Sequence, residues 1–287
     1  MLEQVAVACR AKLNLTFEVL GRRPDGYHEV RSLMHPVALC DRLEITWQPS
    51  GVTLEVVGIP VPAGRDNLCV RAAEAYRDLA GNLPGVHLRL AKCIPPEGGL
   101  GGGSADAAGV IAGLSHLLGR VPRERGATLA ASLGSDVPFS LGGAPALAAG
   151  RGEVLSPVSP ADFWVVIAQP GFGVSTRDAY GLLTPQDWTD GATTAAAADD
   201  LRRGAVHDLQ AVNAFWRGLR ARHPELERVR AALRDGGCTV TGLTGSGSCL
   251  FGLASCEAAA AAAEEAVAAV AAWSWHGPSA AAPLVVA

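Results

Sequence analysis

The ten residues Pro95-Pro-Glu-Gly-Gly-Leu-Gly-Gly-Gly-Ser104 constrain this chain more than any other stretch. Glycine lets backbone N–H groups converge on an anion with no Cβ in the way. Helical spacing begins directly behind the run, from Ala105 to Leu118, and Ser104 stands in the position of an N-cap. A helix start adds unsatisfied first-turn N–H groups and the positive end of the dipole. The apolar stretch Val86–Leu90 ahead of the run reads as a strand. Strand, glycine loop, Ser and helix together suit phosphate binding, although a glycine run on its own also reads as a flexible turn. Two familiar phosphate loops do not fit. A Walker A loop has Lys and Ser or Thr after its last glycine, whereas Gly103 is followed directly by Ser104. A dinucleotide fingerprint counted from Gly99 requires Gly or Ala where Ser104 stands, and belongs after the first strand of a βαβ unit, which this is not.

Elsewhere the chain alternates between strand and helix patterns. Leu13, Leu15, Phe17 and Val19 alternate with Asn14, Thr16 and Glu18, the period of a half-buried strand. Arg23-Pro-Asp-Gly-Tyr27 carries a turn signal. Val37–Leu39, Leu43–Trp47 and Val52–Val57 read as strands, and Asn67–Leu79 as a helix with Leu68, Ala72, Ala75 and Leu79 on one face. After Gly152 the pattern restarts with a buried strand at Trp164–Ala168 and a polar, mobile loop across Asp187–Asp200. Helices at Ala211–Leu219 and Leu226–Leu233 lead to a strand at Cys238–Leu243 and a second glycine turn, Gly245-Ser-Gly-Ser-Cys249. A strand at Leu250–Leu253, an Ala-rich helix and a strand at Leu284–Val286 complete the order. Both halves hold strands and helices without regular βα alternation, so the expected class is α+β in two domains, 1–155 and 156–287.

With 287 residues, 49% of them hydrophobic and 18% charged, the chain has material for two cores. A net charge of -4 provides no field to attract nucleic acid or an anionic membrane. The seven cysteines, at 9, 40, 69, 93, 238, 249 and 256, form no C-x-x-C pair, and their odd number leaves one over. They read as reduced thiols, not as a disulfide framework or a zinc site. Arg10 and Lys12 interrupt the only short apolar stretch near the start, which argues against a signal peptide. Glu264 and Glu265 sit in the middle of the Ala-rich segment Ala258–Ala272, which reads as a packed helix and not a membrane span. The expectation is a cytoplasmic globular protein with no nucleic-acid or membrane partner.

The motifs, taken in order, carry a resemblance. Pro95 to Ser104 resembles the signature loop of the GHMP kinases, a family named for galactokinase, homoserine, mevalonate and phosphomevalonate kinases; Thr244–Cys249 resembles that family's C-terminal motif. Ala11-Lys-Leu-Asn-Leu15, Arg23-Pro-Asp-Gly-Tyr-His28, Asp66-Asn-Leu68 and Gly134-Ser-Asp-Val-Pro138 fall in the order seen in one branch of it. That branch acts on a cytidyl diphosphate-linked methylerythritol in the non-mevalonate route to isoprenoid precursors. The resemblance runs from Ala11 to Leu253. It implies an N-terminal ribosomal S5 domain 2-like domain, a ferredoxin-like C-terminal domain, and ATP and substrate in the cleft between them. It also implies transfer of the ATP γ-phosphate to the 2-hydroxyl of that substrate.

The same resemblance assigns roles. Asp136, on a loop held between Gly134 and Pro138, is the expected base, since a kinase acting on an alcohol needs a proton acceptor beside the attacking hydroxyl. Lys12 is its expected partner, a cation that favours the alkoxide-like form and offsets charge on the transferred phosphoryl group. Outside this context the two read as a turn Asp and a solvated strand Lys. Asn14, on the strand face of Lys12, is expected to contact substrate. Tyr27 and His28 are expected to recognise cytosine by stacking and by an edge hydrogen bond, with Tyr180 on the opposite face and Thr176 nearby. The ATP-binding set is Asn67 and Lys92 at the adenosine, and Pro95, Pro96, Glu97, Gly98, Gly99, Leu100, Gly101, Gly102, Gly103, Ser104 and Ala105 around the phosphates. Mg²⁺ is expected to arrive on the ATP phosphates, with no dedicated protein cage and Ser104 within reach of the ion. His35, His87, His116, His207, His223 and His276 show no ligand spacing. Glu97 departs from the family's small or neutral residue; a carboxylate aimed at the triphosphate repels it, so Glu97 is expected to turn outward. A homoserine- or mevalonate-type kinase, or a non-catalytic nucleotide-binding homologue, remains an alternative at this point.

Overall fold

Alternation of apolar and polar residues extends well past the short strands read from sequence. The computed structural model describes residues 3–81, 83–118 and 123–287. In it β1 covers Gln4–Arg22 and β2 covers His28–Gln48, paired antiparallel around the Arg23–Tyr27 turn. The ladder shifts register between Arg10 and Lys12 and again between Asn14 and Thr16. Such bulges re-aim side chains, and these two bracket Lys12 and Asn14. β3 (Val52–Gly58) joins β4 (Gly85–Lys92) through α1 (Leu68–Ala80), and the two strands pair in parallel, as a helical crossover allows.

Three helices follow: α2 (Gly102–Leu118), α3 (Arg123–Leu133) and α4 (Val137–Gly142). Small residues let α2 lie close to the sheet. A β-carbon at Gly109 would fall 2.4 Å from Cys9 Sγ, so only glycine admits this approach. Val7, Cys9, Leu43, Ile45 and Leu88 from the strands meet Ala107, Val110, Ile111 and Leu114 of α2 in one buried cluster. Each buried aliphatic side chain contributes about 1.5–3 kcal/mol, so this packing fixes where the helix starts. β5 (Ala146–Ala149) pairs with Ser32–Met34 of β2, and β6 (Val154–Pro157) pairs with β5.

The second sheet begins at β7 (Trp164–Gln169). It is followed by α5 (Thr176–Gly181), α6 (Ala192–Arg202), α7 (Trp216–Arg222), α8 (Glu225–Asp235), β8 (Val240–Leu243), β9 (Leu250–Ala254), α9 (Glu257–Ala268) and β10 (Trp273–Pro278). Its order, β10-β7-β9-β8 with every pair antiparallel, is the ferredoxin-like plan. The two sheets divide between Pro157 and Trp164. β11 (Leu284–Val286) then crosses back and pairs with Val7–Cys9 of β1, in the first sheet.

Three expectations need correction. The Asp187–Asp200 stretch is not a mobile loop: α6 begins at Ala192, and Thr194, Ala197 and Ala198 are buried. Its Thr and Ala residues look solvent-loving in sequence but meet buried partners on β1. The Thr194 N–H donates to Glu18 Oε2 at 2.7 Å, and Thr194 Oγ1 lies 2.9 Å from Thr16 Oγ1. The helix placed at 211–219 starts only at Trp216. Residues before it run along β1 instead, with Phe17 N–H donating to Val212 O and Ala214 N–H to Phe17 O. Finally, α2 starts at Gly102, so Ser104 lies inside its first turn and is not the N-cap. Among the described residues every cysteine is free, and no helix is long and apolar enough to cross a membrane.

Candidate active site

The glycine loop between β4 and α2 is held from behind by the second glycine turn. Cys249 N–H donates to Gly98 O at 3.2 Å, Ser248 N–H to Glu97 O at 3.2 Å and Thr244 Oγ1 to Gly99 O at 3.4 Å. Val174 N–H also donates to Glu97 O, at 3.1 Å. The second turn is therefore a backbone support for the first. Gly99 makes the contact possible: it has φ +74°, and a β-carbon there would lie 2.1 Å from Thr244 O. The first helical hydrogen bond runs from Ala105 N to Gly101 O. The N–H groups of Gly102, Gly103 and Ser104 precede it, so they are available to an anion in the cleft.

Lys12 and Asp136 face each other beside this loop. Lys12 Nζ donates to Asn14 Oδ1 and to Gly99 O (2.8 Å), and it stands 3.6 Å from Asp136 Oδ2. The lysine is buried while the Asp136 side chain is 36% exposed, so the carboxylate opens to the cleft. Asp136 sits at the N-cap position of α4, but its side chain makes no capping hydrogen bond. Burial lowers the Lys12 ammonium below its ordinary pKa, and Asp136 pulls part of that shift back. Asn14 is fixed on both sides: its N–H donates to Thr244 Oγ1 at 2.9 Å and its Nδ2 to Ser32 Oγ at 2.6 Å. Thr244 and Ser32, which sequence reasoning missed, thus orient the Lys12–Asn14 pair.

Lys92 lines the cleft with its nitrogen already engaged: it is buried between Asp41 Oδ2 (2.5 Å) and Asp106 Oδ2 (2.7 Å). Burial alone would lower its pKa, yet the two carboxylates override that and raise it. Asp106 is pushed up to about 8, first by burial and then, against the pull of Lys92, by Asp41. Asn67 does line the cleft, but its amide caps α1, accepting from Cys69 N at 2.9 Å and donating to Pro62 O at 2.7 Å. Ala105 points into the core and uses its N–H within the helix, so it does not reach the cleft. Leu100 contributes backbone only, since its side chain is buried and its carbonyl accepts from Lys12 N. Glu97 has φ +53° and is exposed at the loop's edge. Its side chain lies over Gly173, where a β-carbon would fall 2.5 Å from Glu97 Oε2.

An aromatic wall closes the other end. His28 stacks on Tyr180, with ring centroids 4.9 Å apart and 26° between planes, and Tyr180 meets Phe215 edge-on at 4.9 Å. Tyr27 does not join that stack. It is 56% exposed, with the Arg151 guanidinium 4.8 Å over its ring. Burial pushes the Tyr180 phenol up, and Asp136 adds to the shift. His28 is lowered by burial and by Arg22, which favours its neutral form. Thr176 lies 3.4 Å from Ser246 across the cleft, oxygen to oxygen. One cavity of about 900 Å³ is lined by every expected site residue except Ala105. That is the large end of the range for single-ligand sites, as fits two ligands meeting. Among the described residues no group of three or more His, Cys, Asp or Glu side chains converges to hold a metal ion.

The chain matches two family models, GHMP kinases N terminal domain over residues 67–144 and GHMP kinases C terminal over residues 197–272. It is 40% identical over 254 residues to a 4-diphosphocytidyl-2-C-methyl-D-erythritol kinase of Pelotomaculum thermopropionicum, covering 87% of this chain and 88% of that one. A crystal structure of 4-(cytidine 5'-diphospho)-2C-methyl-D-erythritol kinase superposes with a TM-score of 0.86 at 37% identity, covering 96% of this chain and 98% of the other. A homoserine kinase from Cytophaga hutchinsonii superposes with a TM-score of 0.78 at 19% identity, over 100% of this chain and 98% of that one. This last likeness concerns the fold alone.

Proposed function

The chain belongs to the GHMP kinase family, and from that premise we propose that it phosphorylates the 2-hydroxyl of 4-diphosphocytidyl-2-C-methyl-D-erythritol with ATP. The observation that carries this is Lys12 Nζ set 3.6 Å from Asp136 Oδ2, between an anion-binding loop and an aromatic wall. Little covalent work falls to a protein in phosphoryl transfer; positioning and electrostatics dominate. The free N–H groups of Gly102, Gly103 and Ser104 grip the triphosphate, and Mg²⁺ carried on it would neutralise part of its charge. Asp136 accepts the proton of the attacking hydroxyl. Lys12 stands beside it and offsets charge growing on the transferred group. His28, as the neutral ring, has both a donor and an acceptor for the edge of cytosine, and Tyr180 supplies a face. Tyr27, at the rim, provides a second face.

A kinase for a small acyclic alcohol such as homoserine or mevalonate has no use for that wall. The test is steady-state turnover of the purified protein with each candidate alcohol and ATP. The cytidyl diphosphate substrate should be phosphorylated with the highest kcat/KM. Preferential turnover of mevalonate or homoserine would refute the assignment.

A further inference from the structure

The lysine held between two carboxyl groups behind the glycine loop has a structural task. Lys92 closes β4, and three elements meet at its nitrogen. Asp41 comes from β2 and Asp106 from the first turns of α2, both with an oxygen in hydrogen-bond contact. The free oxygen of Asp41 is also used: Oδ1 accepts from the N–H groups of Cys93 (2.6 Å) and Ile94 (2.9 Å). Those two residues are where the chain leaves β4 for the glycine loop, and Asp106 lies just past where it enters α2. The cluster therefore grips both ends of the loop. It also lies directly behind the loop's last turn, since a β-carbon at Gly102 would be 3.0 Å from Lys92 Nζ. The arrangement is costly as a mere packing device. Two carboxylates face one ammonium, all three groups are buried, and Asp106 Oδ1 has no hydrogen-bond partner.

We propose that the Lys92–Asp41–Asp106 cluster is a strut that sets the span of the phosphate loop, with Lys92 acting as a positioning residue. The strut holds the N–H groups of Gly102, Gly103 and Ser104 at the spacing a triphosphate requires. It acts on the nucleotide half of the cleft and leaves the aromatic half alone. The inference rests on the kinase reading above, so its test includes a measurement that does not depend on turnover.

Two variants separate the possibilities. Lys92→Met removes the centre of the strut but leaves two buried carboxylates, and it risks misfolding. Asp106→Ala removes only the α2 end and leaves the Lys92–Asp41 ion pair in place, and its melting temperature reports whether the fold is kept. For each, ATP binding is measured by calorimetry without the alcohol, together with KM for both substrates and the melting temperature. The strut predicts that Asp106→Ala weakens ATP binding by about tenfold, the scale of one charge-assisted hydrogen bond. KM for the cytidyl substrate should stay within about twofold, because its end of the cleft keeps its supports. If Lys92 were instead a nucleotide ligand, freeing it from Asp106 would leave ATP binding unchanged or tighten it, and that result overturns the proposal. A parallel loss of both substrates overturns it too, as a general structural defect. Wild-type protein that binds ATP but fails to phosphorylate the cytidyl substrate sinks the functional reading, while the strut is still judged on the binding data.

Discussion

Replacing Asp136 by Asn removes a base and a counter-ion with one change of atom. At 3.6 Å, the attraction between Lys12 and Asp136 is about 5 kcal/mol at an effective dielectric of about 20. Asp136 is 36% exposed, so screening reduces this to roughly 2 kcal/mol. Lys12, already lowered by burial, then loses the one group that raises it. Its pKa should fall further, because burial is then unopposed. Two effects follow. Loss of the base should lower kcat by about 10²- to 10⁴-fold. The residual activity should also lose its alkaline limb earlier, because Lys12 must stay charged and now releases its proton at lower pH. ATP binding should change little, since the loop N–H groups are untouched. The assay is coupled ADP release across pH 6 to 10, with ATP binding measured separately. A variant that binds ATP and keeps kcat within about tenfold of wild type would remove Asp136 from the base role. An alkaline limb in the same place as wild type would show that the two side chains are not electrostatically linked.

Other outcomes follow from contacts already described. Gly99→Ala puts a side chain at φ +74° and 2.1 Å from Thr244 O, so it should cost at least about 2 kcal/mol in urea unfolding and weaken ATP binding. Gly103→Ala, whose β-carbon meets nothing nearer than Leu68 Cδ1 at 3.7 Å, should stay within about 1 kcal/mol of wild type; equal losses for the two variants would contradict the close-approach account. His35 is buried with Nδ1 2.9 Å from Pro36 O and Nε2 accepting from Ala161 N at 3.1 Å, and burial lowers its pKa from 6.5 to about 4. The unfolded chain therefore binds the extra proton first. Stability from this site is complete above pH 6.5 and is lost as pH falls toward 4, by up to about 3 kcal/mol. His35→Gln should flatten that dependence between pH 7.5 and 4.5, and an unchanged slope would exclude His35 as its source. Glu97→Gln should alter KM for ATP by less than about threefold, because the carboxylate is exposed over Gly173. A sharp gain in ATP affinity would instead place the charge against the phosphates.

The parts of the site that were legible in sequence were those made of backbone and local spacing. The glycine loop, the helix behind it and the Lys12–Asn14 pair on one strand face each follow from rules spanning a few residues. What stayed hidden depended on partners far along the chain. Asp41 lies 51 residues from Lys92, and nothing local marks it as the carboxylate that turns a surface lysine into a buried one. Thr194 reads as loop because the Glu18 and Thr16 side chains that bury it lie 176 and 178 residues away. Tyr180 lines the cleft with its ring stacked on His28 while Tyr27 lies outside that stack, since which of two adjacent residues faces inward depends on the turn. Helix starts failed by a few residues for a similar reason. At Ser104 a good capping residue falls inside the first turn, because the helix already starts at Gly102.

The return of β11 to the first sheet has a consequence for how the protein is made. β1 carries Lys12 and Asn14, and its outer edge is covered only when residues 284–286 pair with Val7–Cys9. During synthesis the strand that bears Lys12 is therefore made long before the strand that covers its edge. Until then it presents unpaired backbone groups, the kind of edge that recruits foreign strands. Closing the sheet at this edge requires contact between residues nearly 280 positions apart. Completion of the fold and completion of the strand that carries the chemistry are thus one event, so a chain stalled or cut before β11 has the parts of its active site without the edge that steadies them.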